Sequence, residues 1–197
     1  MVHSPDLQTK TDEELAELSL KQQEVFGVLI QRYQERLLRY ILRISGTKKE
    51  DAEDILQDTF IKVYQNLNGF DPKQKFSSWI YRITRNEVIS NYRKLQARAE
   101  GRTDYVEESA FYALASDLDI TRDIEMKDLR QTICKVLEEM DPKYREVLVL
   151  KYLEEKDYKE ISYILKKPMG TVATLLNRAK KRFTQQATTM GIELKYV

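Results

Sequence analysis

Apolar residues recur at three- and four-residue steps through most of this 197-residue chain. No other feature limits its fold as strongly, because only an α-helix gathers residues so spaced onto one side. Val25, Leu29, Tyr33, Leu37, Ile41 and Ile44 make one stripe to about Ser45, and Gly46 suits the helix end. Ala52, Ile55, Leu56, Thr59, Phe60 and Val63 make a second, ending near Asn68-Gly69. Thr11 with Glu14, and Thr47 with Glu50, have capping-box spacing. Ser77 is placed to cap a third long helix from Ser78 to about Arg98. No convincing strand alternation occurs, and the fold class expected is all-α.

The pattern breaks from about Arg102 to Thr121, an acidic stretch with scattered apolar residues that reads as a linker, with room for a short helix at Ser109–Ala115. Periodicity resumes with Ile124, Leu129, Ile133, Val136, Leu137 and Met140. Asp141-Pro142 starts a helix whose inner face is Tyr144, Val147, Leu148 and Tyr152. Asp157 with Glu160 repeats the capping box before Tyr158, Ile161 and Leu165. Pro168 and Gly170 break that helix, Thr171 caps the last one, and Val172, Leu175, Leu176, Ala179 and Phe183 face inward. Two small helical domains follow, 11–101 and 122–186, joined by a flexible acidic linker over 102–121.

The formal net charge of +1 conceals a strong division. Pro72–Arg102 holds eight basic residues against two acidic ones, Thr103–Asp128 eight acidic against two basic, and Lys166–Arg182 six basic and no acidic. A basic block is often only a solvated face; two of them, one among aromatics and one in a turn motif, point to nucleic acid. One cysteine, Cys134, forbids an internal disulfide and fits a reducing cytoplasm. One histidine, His3 near the chain's end, argues against a zinc site or a Ser/His/Asp triad. The longest apolar run, Val25–Ile30, is far too short to span a membrane, and the first residues lack the order of a signal peptide. No phosphate-cradling glycine loop or catalytic constellation is visible, and no cofactor or metal is expected.

Three segments carry candidate chemistry. Tyr158–Arg182 has a helix-turn-helix outline, in which the first helix braces the second so that its start enters the major groove. Thr171, Ala173, Thr174 and Asn177 would face bases or phosphates, while Lys166, Lys167, Arg178, Lys180, Lys181 and Arg182 would neutralise phosphates. The plainer reading is a helical hairpin with a basic face. Lys75–Asn86 sets aromatics beside cations, which suits single-stranded nucleic acid; taken alone, the spacing of Phe76, Trp79 and Ile83 favours the plainer reading that they are core. The acidic group Glu50, Asp51, Glu53, Asp54 and Asp58 reads mainly as a first turn matched to the helix dipole, compatible with a protein-docking face.

Taken together, the segments Asp51-Ala52-Glu53-Asp54-Ile55-Leu56-Gln57-Asp58-Thr59-Phe60, Phe76 to Asn86, Tyr158-Lys159-Glu160-Ile161 and Gly170-Thr171-Val172 are specific in order and spacing. Over about Leu15–Arg98 and Ile124–Phe183 the chain closely resembles bacterial RNA polymerase sigma factors of the extracytoplasmic-function (ECF) class, the minimal sigma-70-type factors.

The resemblance implies a sigma factor acting by binding, not an enzyme. It implies that Asp51, Asp54, Gln57, Asp58 and Phe60 meet the clamp helices of the largest subunit of core RNA polymerase. Phe76, Arg82, Arg85, Asn86, Tyr92, Arg93 and Lys94 would open and hold the -10 element, with the Asn68–Lys75 loop capturing a flipped base. Lys166, Lys167, Thr171, Ala173, Thr174, Asn177, Arg178 and Lys181 would read the -35 element of promoter DNA while their domain holds the flap of the second largest subunit. The linker would thread the polymerase cleft towards the RNA exit path, and an anti-sigma factor becomes a reasonable partner. Ser90, where the family often has Asp, and Ala173 and Leu175, where it commonly has basic residues, depart from the pattern, as does the Lys166-Lys167 pair. These departures bear on promoter sequence. The rival readings are a stand-alone helix-turn-helix regulator binding an operator as a dimer, and a helical adaptor. No role is assigned to the tail from Thr184.

Overall fold

Capping and burial turn these periodicities into two helical units in a computed structural model of the chain, which describes residues 5–99 and 132–192. The units are Met1–Ile41 with Glu50–Thr103, and Leu42–Lys49 with Asp104–Val197. Among the described residues there is no strand, and no helix is long and apolar enough to cross a membrane. The linker, the segment Ser109–Ala115, Ile124 and Leu129 lie outside the described residues.

The first unit is built from α1 (Pro5–Thr9), α2 (Asp12–Ser19), α3 (Phe26–Ser45) as far as Ile41, α4 (Lys49–Gln65) from Glu50 onward, and α5 (Phe76–Ala99). Thr11 and Glu14 form the anticipated capping box at α2. The stripe read for α3 is its core side, with Leu29, Tyr33, Leu37 and Ile41 almost without exposure; Gly46 follows with a left-handed backbone, φ +66°. Helix α4 buries Ala52, Ile55, Thr59 and Val63, but begins at Lys49, one residue later than a Thr47 cap would set it.

Helix α5 departs further from expectation. It begins at Phe76, so Ser77 lies inside its first turn and does not cap it. The amide of Phe76 instead donates to Glu13 Oε1 at 2.8 Å, a carboxylate reaching across from α2. Phe76, Tyr33, Phe70 and Trp79 pack there as one aromatic cluster with ring centroids 5.1–5.6 Å apart.

The second unit contains a helix described over 132–138 (α6), α7 (Pro142–Leu148), α8 (Tyr158–Leu165) and α9 (Met169–Thr189). Asp141 caps α7 by accepting from the Lys143 amide, with Pro142 at the first helical position. The chain then widens into a π-helical turn, Val149–Leu153. The extra residue per turn shifts the inward face, so Val147 to Leu150 are all buried and Tyr152, expected inside, is 52% exposed. Asp157 and Glu160 form the second capping box, at α8.

The break before α9 is also made differently from the sequence reading. Lys166, not a glycine, adopts the left-handed conformation (φ 51°, ψ 47°). Its neighbour's amide, Lys167 N–H, donates back to Ser162 O at 3.1 Å, the closure of a Schellman turn. Helix α9 starts at Met169, so Gly170 and Thr171 belong to its first turn and Pro168 stands at the cap position. It also runs on to Thr189, beyond the point where the tail was expected to begin. The hydroxyls of Thr184, Thr188 and Thr189 bond to carbonyls four residues back, and Ala187 is buried.

Candidate functional site

On α4 the spacing of Asp51, Asp54 and Asp58 places them along one side, with Gln57 beside them, and all four side chains are exposed. Phe60 is not part of this surface: it is half-buried on the opposite side, its ring edge-on to Phe26 at 6.5 Å. One residue passed over in the sequence does lie on the acidic side, Ile61 at 53% exposure, while Tyr64, 39% exposed, stands one turn beyond Phe60 on that residue's side. Tyr64 leans on Phe26, ring centroids 5.2 Å apart, over a shallow groove of about 680 Å³ that Phe26, Gly27 and Ile30 also line. An acidic helix face with an exposed isoleucine within it is suited to a protein partner with a basic, partly apolar surface. Among the described residues no group of carboxylates, cysteine or histidine is arranged to hold a metal ion.

On α5 the fourfold and sevenfold spacing brings Arg82, Asn86 and Arg93 to one side. Asn86 and Arg93 are exposed and Arg82 half-buried. Arg85 and Tyr92 share a neighbouring side, where the exposed Tyr92 hydroxyl accepts from Gln96 Nε2 at 2.8 Å. Lys94 is exposed on a third. Phe76 must be withdrawn as a DNA contact, because it has 0% exposure at the centre of the aromatic cluster. The loop before α5 is exposed from Asp71 to Lys75 and rooted by Phe70.

One charged pair connects the two helices. Lys62 Nζ of α4 lies 2.7 Å from the Glu87 carboxylate of α5, which is 7% exposed. This acid is the only one described in an otherwise cationic helix, and its role is to pair across the unit.

In the second unit Lys166, Lys167, Thr171, Ala173, Thr174, Asn177, Arg178 and Lys181 are all exposed. Residues 173, 174, 177, 178 and 181 run along one side of α9, with the lysine pair in the turn before it. Thr174 Oγ1 donates to Gly170 O at 2.9 Å, which spends its proton and leaves its lone pairs and methyl group facing out. The sequence reading missed Met169, 55% exposed in the first turn, and the ring of Tyr152 under Lys180 Nζ at 5.6 Å. The Tyr152 hydroxyl holds the Lys180 ammonium above its ordinary pKa. Lys151 lies similarly over Tyr158, at 5.4 Å.

These surfaces fall within segments with known relatives. Residues 29–98 match the family model of sigma-70 region 2, and residues 130–183 that of sigma-70 region 4. The chain is 34% identical to the ECF RNA polymerase sigma factor SigW of Bacillus subtilis, over 83% of this chain and 89% of that one. It is 29% identical to the ECF RNA polymerase sigma-E factor of Escherichia coli, over 87% and 91%. In fold it is similar to the sigma factor RpoE of Bartonella quintana, solved with the anti-sigma factor NepR (TM-score 0.69, 21% identity, 83% of this chain and 96% of that one). It is similar also to CnrH, solved with the cytosolic domain of CnrY (TM-score 0.66, 23% identity, 91% and 99%). An all-helical chain carrying both sigma regions in order, and alike along most of its length to ECF factors, belongs to the ECF class of sigma-70-family RNA polymerase sigma factors and directs promoter-specific transcription initiation.

Proposed function

We propose that the three surfaces divide the work of initiation. The α4 face of Asp51, Asp54, Gln57 and Asp58, extended by Ile61, docks on the clamp helices of the core polymerase's largest subunit. Helix α5 follows and holds the opened -10 strand with Arg82, Asn86 and Arg93, assisted by Arg85, Tyr92 and Lys94, while the Asn68–Lys75 loop takes an extruded base. The exposed side of α9 reads -35 duplex from the major groove, with Lys166, Lys167, Arg178 and Lys181 on phosphates, and its domain holds the flap of the second largest subunit. The acidic segment 102–121 serves as the linker between domains 11–101 and 122–186.

The observation that carries this reading is the arrangement of the first unit. Its acidic, partly apolar face and its cationic face lie on two helices tied by the Lys62–Glu87 pair, so one small body presents a protein surface and a strand-binding surface together. The solved complex of the sigma factor RpoE with the anti-sigma factor NepR supports an anti-sigma partner for this chain too.

Run-off transcription with bacterial core polymerase on a genomic promoter library tests the assignment. Start sites sharing two spaced motifs are expected with the wild-type chain, and their loss with Asp54→Arg and with Arg82→Glu. Protein-dependent starts that persist in both variants would refute the residue assignments.

A further inference from the structure

We infer that Glu13, on a helix outside the matched sigma-70 region 2 segment, is a positioning residue for -10 strand capture, acting through the N-terminus of α5. The inference rests on the proposed role of α5.

The first amides of a helix have no partner within it, and their direction fixes how the preceding loop enters. At α5 the first of them, Phe76 N–H, is held by Glu13 Oε1 at 2.8 Å, across a separation of 63 residues. The carboxylate satisfies this donor from another helix, and its charge suits the positive end of the helix dipole. Glu13 is itself held in place. The next-door Asp12 accepts from both Arg32 Nη1, at 2.7 Å, and the Tyr33 hydroxyl. The same guanidinium donates to Lys10 O at 2.9 Å and Gln8 O at 2.9 Å, clasping the segment before α2 onto α3. Leu15 and Ala16 are buried beneath.

What Glu13 fixes is the root of the loop proposed to take an extruded base. Phe76 packs on Phe70 at the loop's start and on Trp79 one turn along α5, with ring centroids 5.4 and 5.6 Å apart. The exposed residues 71–75 lie between these anchors. A displaced Phe76 amide would move the loop and the first turn of α5 while leaving the exposed face of α4 as it is.

The test compares Glu13→Ala and Glu13→Gln in the full chain. The probe is a single-stranded oligonucleotide carrying a -10 sequence recovered by the run-off selection. Strand affinity is measured in holoenzyme, affinity for core polymerase is measured separately, and the fluorescence of Trp79, the chain's one tryptophan, is followed in the free protein. Glu13→Ala is expected to weaken strand binding roughly tenfold, the scale of one charge-assisted hydrogen bond. It should also shift the Trp79 emission and leave core affinity within about twofold of wild type, a margin of about 0.4 kcal/mol. Glu13→Gln, which keeps an acceptor oxygen, is expected to recover most of the strand affinity. An unchanged strand affinity in Glu13→Ala, or an equal fall in core and strand affinity, would overturn the inference. Arg82→Ala and Asn86→Ala run beside it: if neither weakens strand binding, the role of α5 is itself wrong and the inference falls with it.

Discussion

Lys166 shows how much one residue can hide. A left-handed backbone usually calls for glycine or asparagine, since a β-carbon there costs about 1–2 kcal/mol. Here a lysine occupies it at φ 51° in the turn before α9. Its exposed charge, next to the side proposed to read DNA, gives a reason for accepting the strain. Lys166→Gly should therefore raise the chain's stability by about 1 kcal/mol in urea denaturation. It should also weaken -35 duplex binding and lower the salt slope by about one. A loss of both stability and binding would show that the backbone is not strained. The capping boxes at Thr11/Glu14 and Asp157/Glu160 were legible in the sequence because both partners lie within four residues. The Glu13–Phe76 bond was not, because its partners meet only when α2 packs at the start of α5. The spacing of Phe76 favours core, and it is the resemblance that makes it a -10 contact; its burial bears out the spacing.

At the scale of elements, α4 and α5 show what periodicity reports and what it omits. Spacing separated the inner from the outer side of α4 well, but it gave no reason to single out Ile61, whose exposure depends on nothing packing over it. Ile61→Ser should leave the melting temperature nearly unchanged, as surface substitutions do. If the acidic face docks on polymerase, the same change should weaken core binding about tenfold, because a buried isoleucine contributes about 1.5–3 kcal/mol. A titration against labelled core enzyme checks this. The Lys62–Glu87 pair calls for a different experiment, since Glu87 is buried while Lys62 is 47% exposed. Lys62→Met leaves a buried carboxylate without its cation and should destabilise by about 1–3 kcal/mol. Solvent around the lysine places the expected loss nearer the lower figure. Adding Glu87→Gln should recover part of it, so the double-mutant cycle should show coupling. Additive losses would mean that the pair does not link the helices. The π-helical turn at Val149–Leu153 has the same lesson: Tyr152 obeys the spacing of an α-helix, and the local widening turns it outward.

For the whole molecule, the near-neutral total hides the fact that the charge is partitioned by task, with separate cationic blocks for the two proposed DNA contacts. If α5 holds single strand and α9 reads duplex, the contacts should fail independently. In holoenzyme, Arg82→Ala should weaken binding to a single-stranded -10 oligonucleotide and spare a -35 duplex; Lys181→Ala should do the reverse. The salt dependence should follow the same division. Each lost phosphate contact should reduce the log–log slope by about 0.7 on single strand and about 0.9 on duplex. On an intact promoter one polymerase engages both elements, so the two losses should add in free energy, to within about 0.5 kcal/mol. Promoter occupancy measured for wild type, both single variants and the double variant decides the matter. A double variant no weaker than the worse single one would mean that the two surfaces are not engaged together, and the division of labour between the two regions would have to be abandoned.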